Sequence, residues 1–182
     1  MKYFFTSDYH LGHSRIIEYC KRPFKTVEEM NETIIKNHNE KVKPGDVVFF
    51  LGDFCFCKGN QGGINKAIEY EKRLNGKIIF IKGNHDHTNT LNAVIENMEI
   101  THGGMNIFMT HNPDDADMTF KLNLVGHAHE KWKSQIIENQ VKSQLAFDFG
   151  YSSVLINIGV DVWNFRPVSI EEILKEYQRT KK

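Results

Sequence analysis

Short apolar runs recur along the chain, and polar clusters rich in Asp, His, Asn and Gly follow them. Val47-Val48-Phe49-Phe50-Leu51 is apolar at every position, as a strand buried on both faces should be, and Tyr3-Phe4-Phe5 and Ile78-Ile79-Phe80-Ile81 also read as strands. Helical spacing fills the gaps between them. Thr26-Val27-Glu28-Glu29 reads as a capping box, and Val27, Met30 and Ile34 continue it into a helix from about Thr26 to Glu40. Ile64, Ala67 and Ile68 predict a second helix that stops near Asn75-Gly76, and Leu91, Val94, Ile95 and Met98 predict a third. From Met105 onward the rhythm turns to short strands and brief turns, until Ser169-Ile170-Glu171-Glu172 caps a terminal helix. Strands alternating with helices, then mostly strands, make an α/β protein of two packed sheets with helices outside. The stretch from Lys133 to Phe149 reads least clearly: a hairpin turning near Glu138-Asn139, a lid and a partner surface all fit it.

The ends of the strands carry the chemistry. Tyr3-Phe4-Phe5 leads into Asp8-Tyr9-His10, Leu51 into Gly52-Asp53, and Ile81 into Gly83-Asn84-His85-Asp86. Ile107-Phe108-Met109 leads into His111, and Leu122-Asn123-Leu124-Val125 into Gly126-His127-Ala128-His129. Open α/β sheets present ligands at the carboxyl ends of their strands, so these clusters are where a site would be built.

Composition narrows the setting. The 182 residues fit one domain, 1–182, because no composition shift or linker marks a boundary. Lys plus Arg equals Asp plus Glu at 23 each, so net charge gives no pull toward nucleic acid or an anionic membrane. A nucleic-acid substrate would have to be held by local groups, and Lys131, Lys133 and Lys142 are the nearest approach to a basic cluster. Cys20, Cys55 and Cys57 are odd in number and lack zinc-knuckle or disulfide spacing, which suits small buried thiols in a reducing cytoplasm. No secretory leader or membrane-length apolar run is evident, so a protein without a membrane anchor is expected. Oligomeric state is not legible at this level.

Asp8, His10, Asp53, Asn84, His111, His127 and His129 form a mixed oxygen and nitrogen set. Such donors suit Mn²⁺, Fe, Zn²⁺ or Ni²⁺, whereas Mg²⁺ and Ca²⁺ prefer oxygen alone. Seven residues exceed what one tetrahedral ion needs, and two adjacent ions sharing a carboxylate would use them all. His13 and Arg22, downstream of the first cluster, are candidates to contact a substrate phosphate, Arg22 through its fork. His38 continues the first helix and reads as structural.

In their order, Asp8-x-His10, Gly52-Asp53, Gly83-Asn84-His85-Asp86, His111 and Gly126-His127-x-His129 resemble the calcineurin-like metallophosphoesterases. Arg22-Pro23-Phe24 and the segment Val160 to Val168 look like a compact subgroup of bacteria and phages. The resemblance implies a four-layer α/β/β/α sandwich of two mixed sheets flanked by helices. It implies that Asp8, His10 and His129 hold one metal, that Asn84, His111 and His127 hold a second, and that Asp53 bridges them. Manganese is the favoured ion. The implied reaction is hydrolysis of a phosphomonoester or phosphodiester, of a small molecule or a nucleotide, by in-line attack of a metal-bridging hydroxide. His85 would protonate the leaving group, and Asp86 would either orient its ring or brace the turn. A non-catalytic protein scaffold, as in the retromer coat, is the alternative that the same fold implies.

Overall fold

The computed structural model describes residues 1–56, 60–86, 93–140 and 150–182. In chain order the first half comprises β1 (Tyr3–Thr6), α1 (Ile16–Tyr19), α2 (Val27–Lys41), β2 (Val47–Leu51), α3 (Asn60–Lys72) and β3 (Lys77–Ile81). The second half comprises β4 (Asn97–His102), β5 (Met105–Thr110), β6 (Leu122–Val125), β7 (Ser134–Gln140), β8 (Gly150–Asn157), β9 (Val168–Ser169) and α4 (Ile170–Thr180). Two mixed sheets result, β3-β2-β1-β9 and β4-β5-β6-β8-β7, flanked by helices, as the α/β reading expects. In the first, β1, β2 and β3 run parallel and β9 pairs antiparallel with β1; in the second, β5, β6 and β8 run parallel.

The all-apolar β2 sends side chains to both faces of its sheet. Phe49 and Leu51 join Phe5 and Ile81 against Ile107, Met109, Leu122, Leu124, Val154 and Ile156 between the sheets. Phe50 points the other way, toward Met30, Ile34 and Ile35 of α2 and Ala67 of α3. Phe50 is fully buried, so truncation to alanine would cost about 3–5 kcal/mol. The helix ends agree with their sequence signals. Thr26 accepts a hydrogen bond from the Glu29 amide, and Ser169 and Glu172 form a reciprocal capping box that starts α4.

Two expectations are corrected. The apolar spacing from Leu91 to Met98 does not give a helix over the described part of that span: Ile95 bridges Ile81, and Met98 lies in β4. Leu91 lies outside the described residues. Met98 and Ile100 also fit an alternating pattern, and Gly103 and Gly104, with φ of +56° and +78°, close β4 onto β5 as a hairpin. Cross-strand pairing along all of β4 outweighs the weak helical periodicity. The hairpin read after Lys133 is present, but it does not turn at Glu138-Asn139. Those residues pair with Ser152 and Tyr151, and the connection falls within 141–149, outside the described residues together with Lys142. Among the described residues no helix is long and apolar enough to cross a membrane.

Candidate metal centre

The carboxyl ends of β1, β2, β3, β5 and β6 meet where the two sheets adjoin, and the loops that follow are laced together. Asp8 N–H donates to the Gly52 carbonyl at 3.0 Å and His10 N–H to the Asp53 carbonyl at 3.0 Å, continuing the parallel pairing beyond the strands. The Gly126 amide donates to the His111 carbonyl at 2.9 Å, and the His127 amide reaches the Asp8 carboxylate at 3.1–3.2 Å. Gly52 is required by two facts: its φ is +83°, and a Cβ there would lie 2.5 Å from Gly83 Cα and 2.6 Å from His111 Nδ1.

Two groups of side chains offer ligand atoms within 4.8 Å of one another: Asp8, His10 and His129, and Asp53, His111 and His127. The carboxylate of Asp53 lies between them. Its Oδ2 is 3.5 Å from His10 Nε2 and 3.4 Å from His111 Nε2. Both Asp53 Oδ2 and His10 Nε2 are buried without a hydrogen-bond partner, the condition that a metal ion relieves and that burial alone penalises. Asn84 completes the second group, because its Oδ1 is 2.9 Å from His111 Nε2 and 2.8 Å from His127 Nδ1. The donors, three carboxylate or amide residues and four imidazoles, fit borderline divalent cations.

Electrostatics divide the ligand residues. Burial opposes charge on His111, yet the close approach of the Asp53 carboxylate and the negative charge of Asp8 pull it up to about 9. Burial likewise opposes charge on His129, and its bond to Asp161 leads the groups that carry it to about 10. Burial also works against the Asp53 carboxylate, but His111, His10 and the His85 amide hold it well below the usual carboxylate range. Burial prevails instead at His10 and His127, which are pushed below the ordinary imidazole value, and at Asp8, which is pushed above the ordinary carboxylate value, so positive charge is favoured at two of the four imidazoles.

Asp8, His10, Asp53, His127 and His129 all have left-handed backbones, with φ from +48° to +64°. Each such non-glycine residue costs about 1–2 kcal/mol, a strain held only where the surroundings over-determine it.

The other predicted residues fall into place unevenly. His85 is exposed and belongs to neither ligand group; its amide donates to Asp53 Oδ1 at 2.9 Å, and its ring centroid is 5.6 Å from that of His10. His13 stacks on Phe56 at 4.3 Å and lines a cleft of about 480 Å³ with Arg15 and Tyr19, beside His10. Asp86 needs correction as a ring orienter. Its carboxylate accepts from the amides of Asp53 at 2.8 Å, Gly83 at 2.9 Å and Phe54 at 3.3 Å, so it braces two ligand-bearing turns. Arg22 needs correction as a phosphate contact. It is buried, donates to the Asp8 and Tyr9 carbonyls at 2.7 and 3.0 Å, and spends its fork on Asp161 at 2.8 and 2.9 Å.

Asp161 and Cys20 were missed. Asp161 Oδ2 lies 3.1 Å from His129 Nδ1, and Cys20, His129 and Asp161 form a further close group. Asp161 follows the apolar end of β8, the signal that found the other strand-end residues, and could have been found the same way.

The profile of the calcineurin-like phosphoesterase family matches residues 1–178. An uncharacterized protein of Methanocaldococcus jannaschii is 37% identical over 187 residues, covering 99% of this chain and 93% of the relative. The gene 66 protein of Mycobacterium phage L5 is 26% identical, covering 93% and 90%. The crystal structure of a protein of unknown function from Aquifex aeolicus superposes with a TM-score of 0.68 at 23% identity, over 96% of this chain and 98% of that one, and so shares the fold. With nearly its whole length matched, the chain belongs to the calcineurin-like phosphoesterase family.

Proposed function

We propose that this protein is a dinuclear-metal phosphoesterase, carried by one domain over residues 1–182, that hydrolyses a phosphomonoester or phosphodiester of a small molecule or nucleotide. One observation carries the reading: two ligand groups face each other across the buried, unpartnered Oδ2 of Asp53. In this reading Asp8, His10 and His129 hold one ion, Asn84, His111 and His127 hold the other, and Asp53 serves both. Bound there, two divalent cations, manganese by preference, would polarise phosphoryl oxygens and lower the pKa of water enough to supply hydroxide near neutral pH.

The chain's own groups do the rest. His85 stands outside both ligand groups and is exposed to an incoming ester, which suits a proton donor to the departing oxygen. The Asp53–His85 hydrogen bond fixes its backbone to the shared carboxylate, and Asp86 ties the β3 turn to the β2 turn. His13, which lines the cleft beside His10, is the remaining candidate to contact the substrate phosphate. The filled ligand positions and the presence of His85 favour the enzyme over the alternative of a non-catalytic scaffold on the same fold.

The test is hydrolysis of a nitrophenyl phosphoester by chelator-stripped protein with and without added Mn²⁺. Metal-dependent release of nitrophenolate is expected. No turnover with Mn²⁺, Fe²⁺, Zn²⁺ or Ni²⁺ would overturn the enzymatic reading.

A further inference from the structure

The segments carrying Arg22 and Asp161 lie 139 residues apart, and the reaction outlined above uses neither. The fold nevertheless joins them directly behind one ligand. Arg22 is nearly inaccessible, at 4% exposure, and its Nε and Nη2 donate to the two carboxylate oxygens of Asp161. Nη2 and Nη1 also donate to the carbonyls of Asp8 and Tyr9, inside the first ligand-bearing turn. The guanidinium therefore fixes Asp161 and that turn as one unit.

Asp161 in turn meets His129. A carboxylate already accepting a bidentate guanidinium fork is an acceptor only, so the 3.1 Å contact requires His129 Nδ1 to carry the proton. A neutral imidazole protonated at Nδ1 has its lone pair on Nε2. That leaves Nε2 to serve as the ligand atom in the group His129 forms with Asp8 and His10.

We infer that Arg22 and Asp161 are positioning residues that lock the tautomer and ring orientation of His129, and so selectively support the Asp8–His10–His129 metal position. The inference rests on the dinuclear reading above. It assigns the two residues to one metal position and not the other, because neither forms any of the hydrogen bonds that join Asn84, His111 and His127.

The test is a calorimetric titration of Mn²⁺ into chelator-stripped protein, with folding checked by circular dichroism. Wild type should take two ions. Asp161→Asn should weaken one of them by roughly 10–100-fold and leave the other within about threefold. Because Asp161→Asn strands the buried Arg22 charge, the neutral pair Arg22→Gln/Asp161→Asn is the second variant and should lose the same ion. His129→Ala identifies the position: adding Asp161→Asn to it should weaken that ion no further, since both changes act through one ring. Asp161→Glu, which keeps an acceptor, should recover part of the affinity. Equal weakening of both ions, or losses that add in the His129→Ala background, would overturn this inference while the phosphoesterase reading stands. A wild-type protein that binds no divalent ion would overturn both.

Discussion

His38 lies at the base of the site and sets a measurable dependence of stability on pH. Its ring is fully buried between α2, the first ligand-bearing turn and the end of α3. Nε2 lies 2.8 Å from the Asn75 carbonyl, which can only accept, so Nε2 carries the proton; Nδ1 then accepts from the Tyr9 hydroxyl at 2.8 Å. Tyr9 stands between Asp8 and His10, so this neutral ring props the turn from below. Burial lowers the His38 pKa from 6.5 to about 4, although its bond to Asn75 opposes the shift. Between those values the unfolded chain binds a proton that the folded chain refuses. The stabilisation is therefore complete above about pH 6.5 and is lost as pH falls toward 4. Linkage across pH 7 to 5 gives a loss on the order of 2 kcal/mol from this residue, more than a tenfold change in the unfolding constant. The assay is urea unfolding followed by tryptophan fluorescence, in chelator, at both pH values. The His38→Gln variant keeps a donor and an acceptor but does not titrate. Other histidines in the fold also titrate, so the quantity that matters is wild type minus variant. Wild type should lose on the order of 2 kcal/mol more than His38→Gln on going from pH 7 to 5. Parallel profiles would refute the buried neutral ring.

Three further outcomes follow from the site. Asp53→Asn should weaken both metal positions and abolish nitrophenyl ester hydrolysis, because one buried carboxylate faces His10 and His111 together; a variant that still binds two ions normally would contradict this. His85→Ala should keep both ions by calorimetry and slow turnover roughly 10²–10⁴-fold for alkoxide leaving groups, with a smaller loss for nitrophenolate. Equal losses for good and poor leaving groups would remove His85 from the proton-transfer role. Gly52→Ala should lower stability by roughly 1–3 kcal/mol through strain and crowding, and should displace His111; a thermal midpoint and metal affinity like wild type would disprove the close approach.

Much of this was legible in the sequence because the parallel strands announce themselves twice. An unbroken apolar run such as Val47 to Leu51 marks burial on both faces, and the Gly-Asp that follows marks where the strand surfaces. What stayed hidden depends on pairing at long range. Arg22 reads as an exposed phosphate hook until Asp161 is brought against it, and Asp86 reads as a partner for His85 until the amides of Asp53 and Phe54 arrive from another strand. The segment Leu91 to Met98 failed for a different reason. Met98 ends a helical spacing and begins, with Ile100, an alternating one, and the neighbouring β5 decides between them.

The left-handed backbone at Asp8, His10, Asp53, His127 and His129 sets stability against chemistry at the same positions. Glycine would relax each of these turns, so selection for heat resistance in the presence of a chelator should drift toward glycine there. Such a screen would return sturdier proteins with a dismantled site. Directed evolution of this scaffold therefore needs the cation present, or a catalytic readout in every round, for the strained turns to survive.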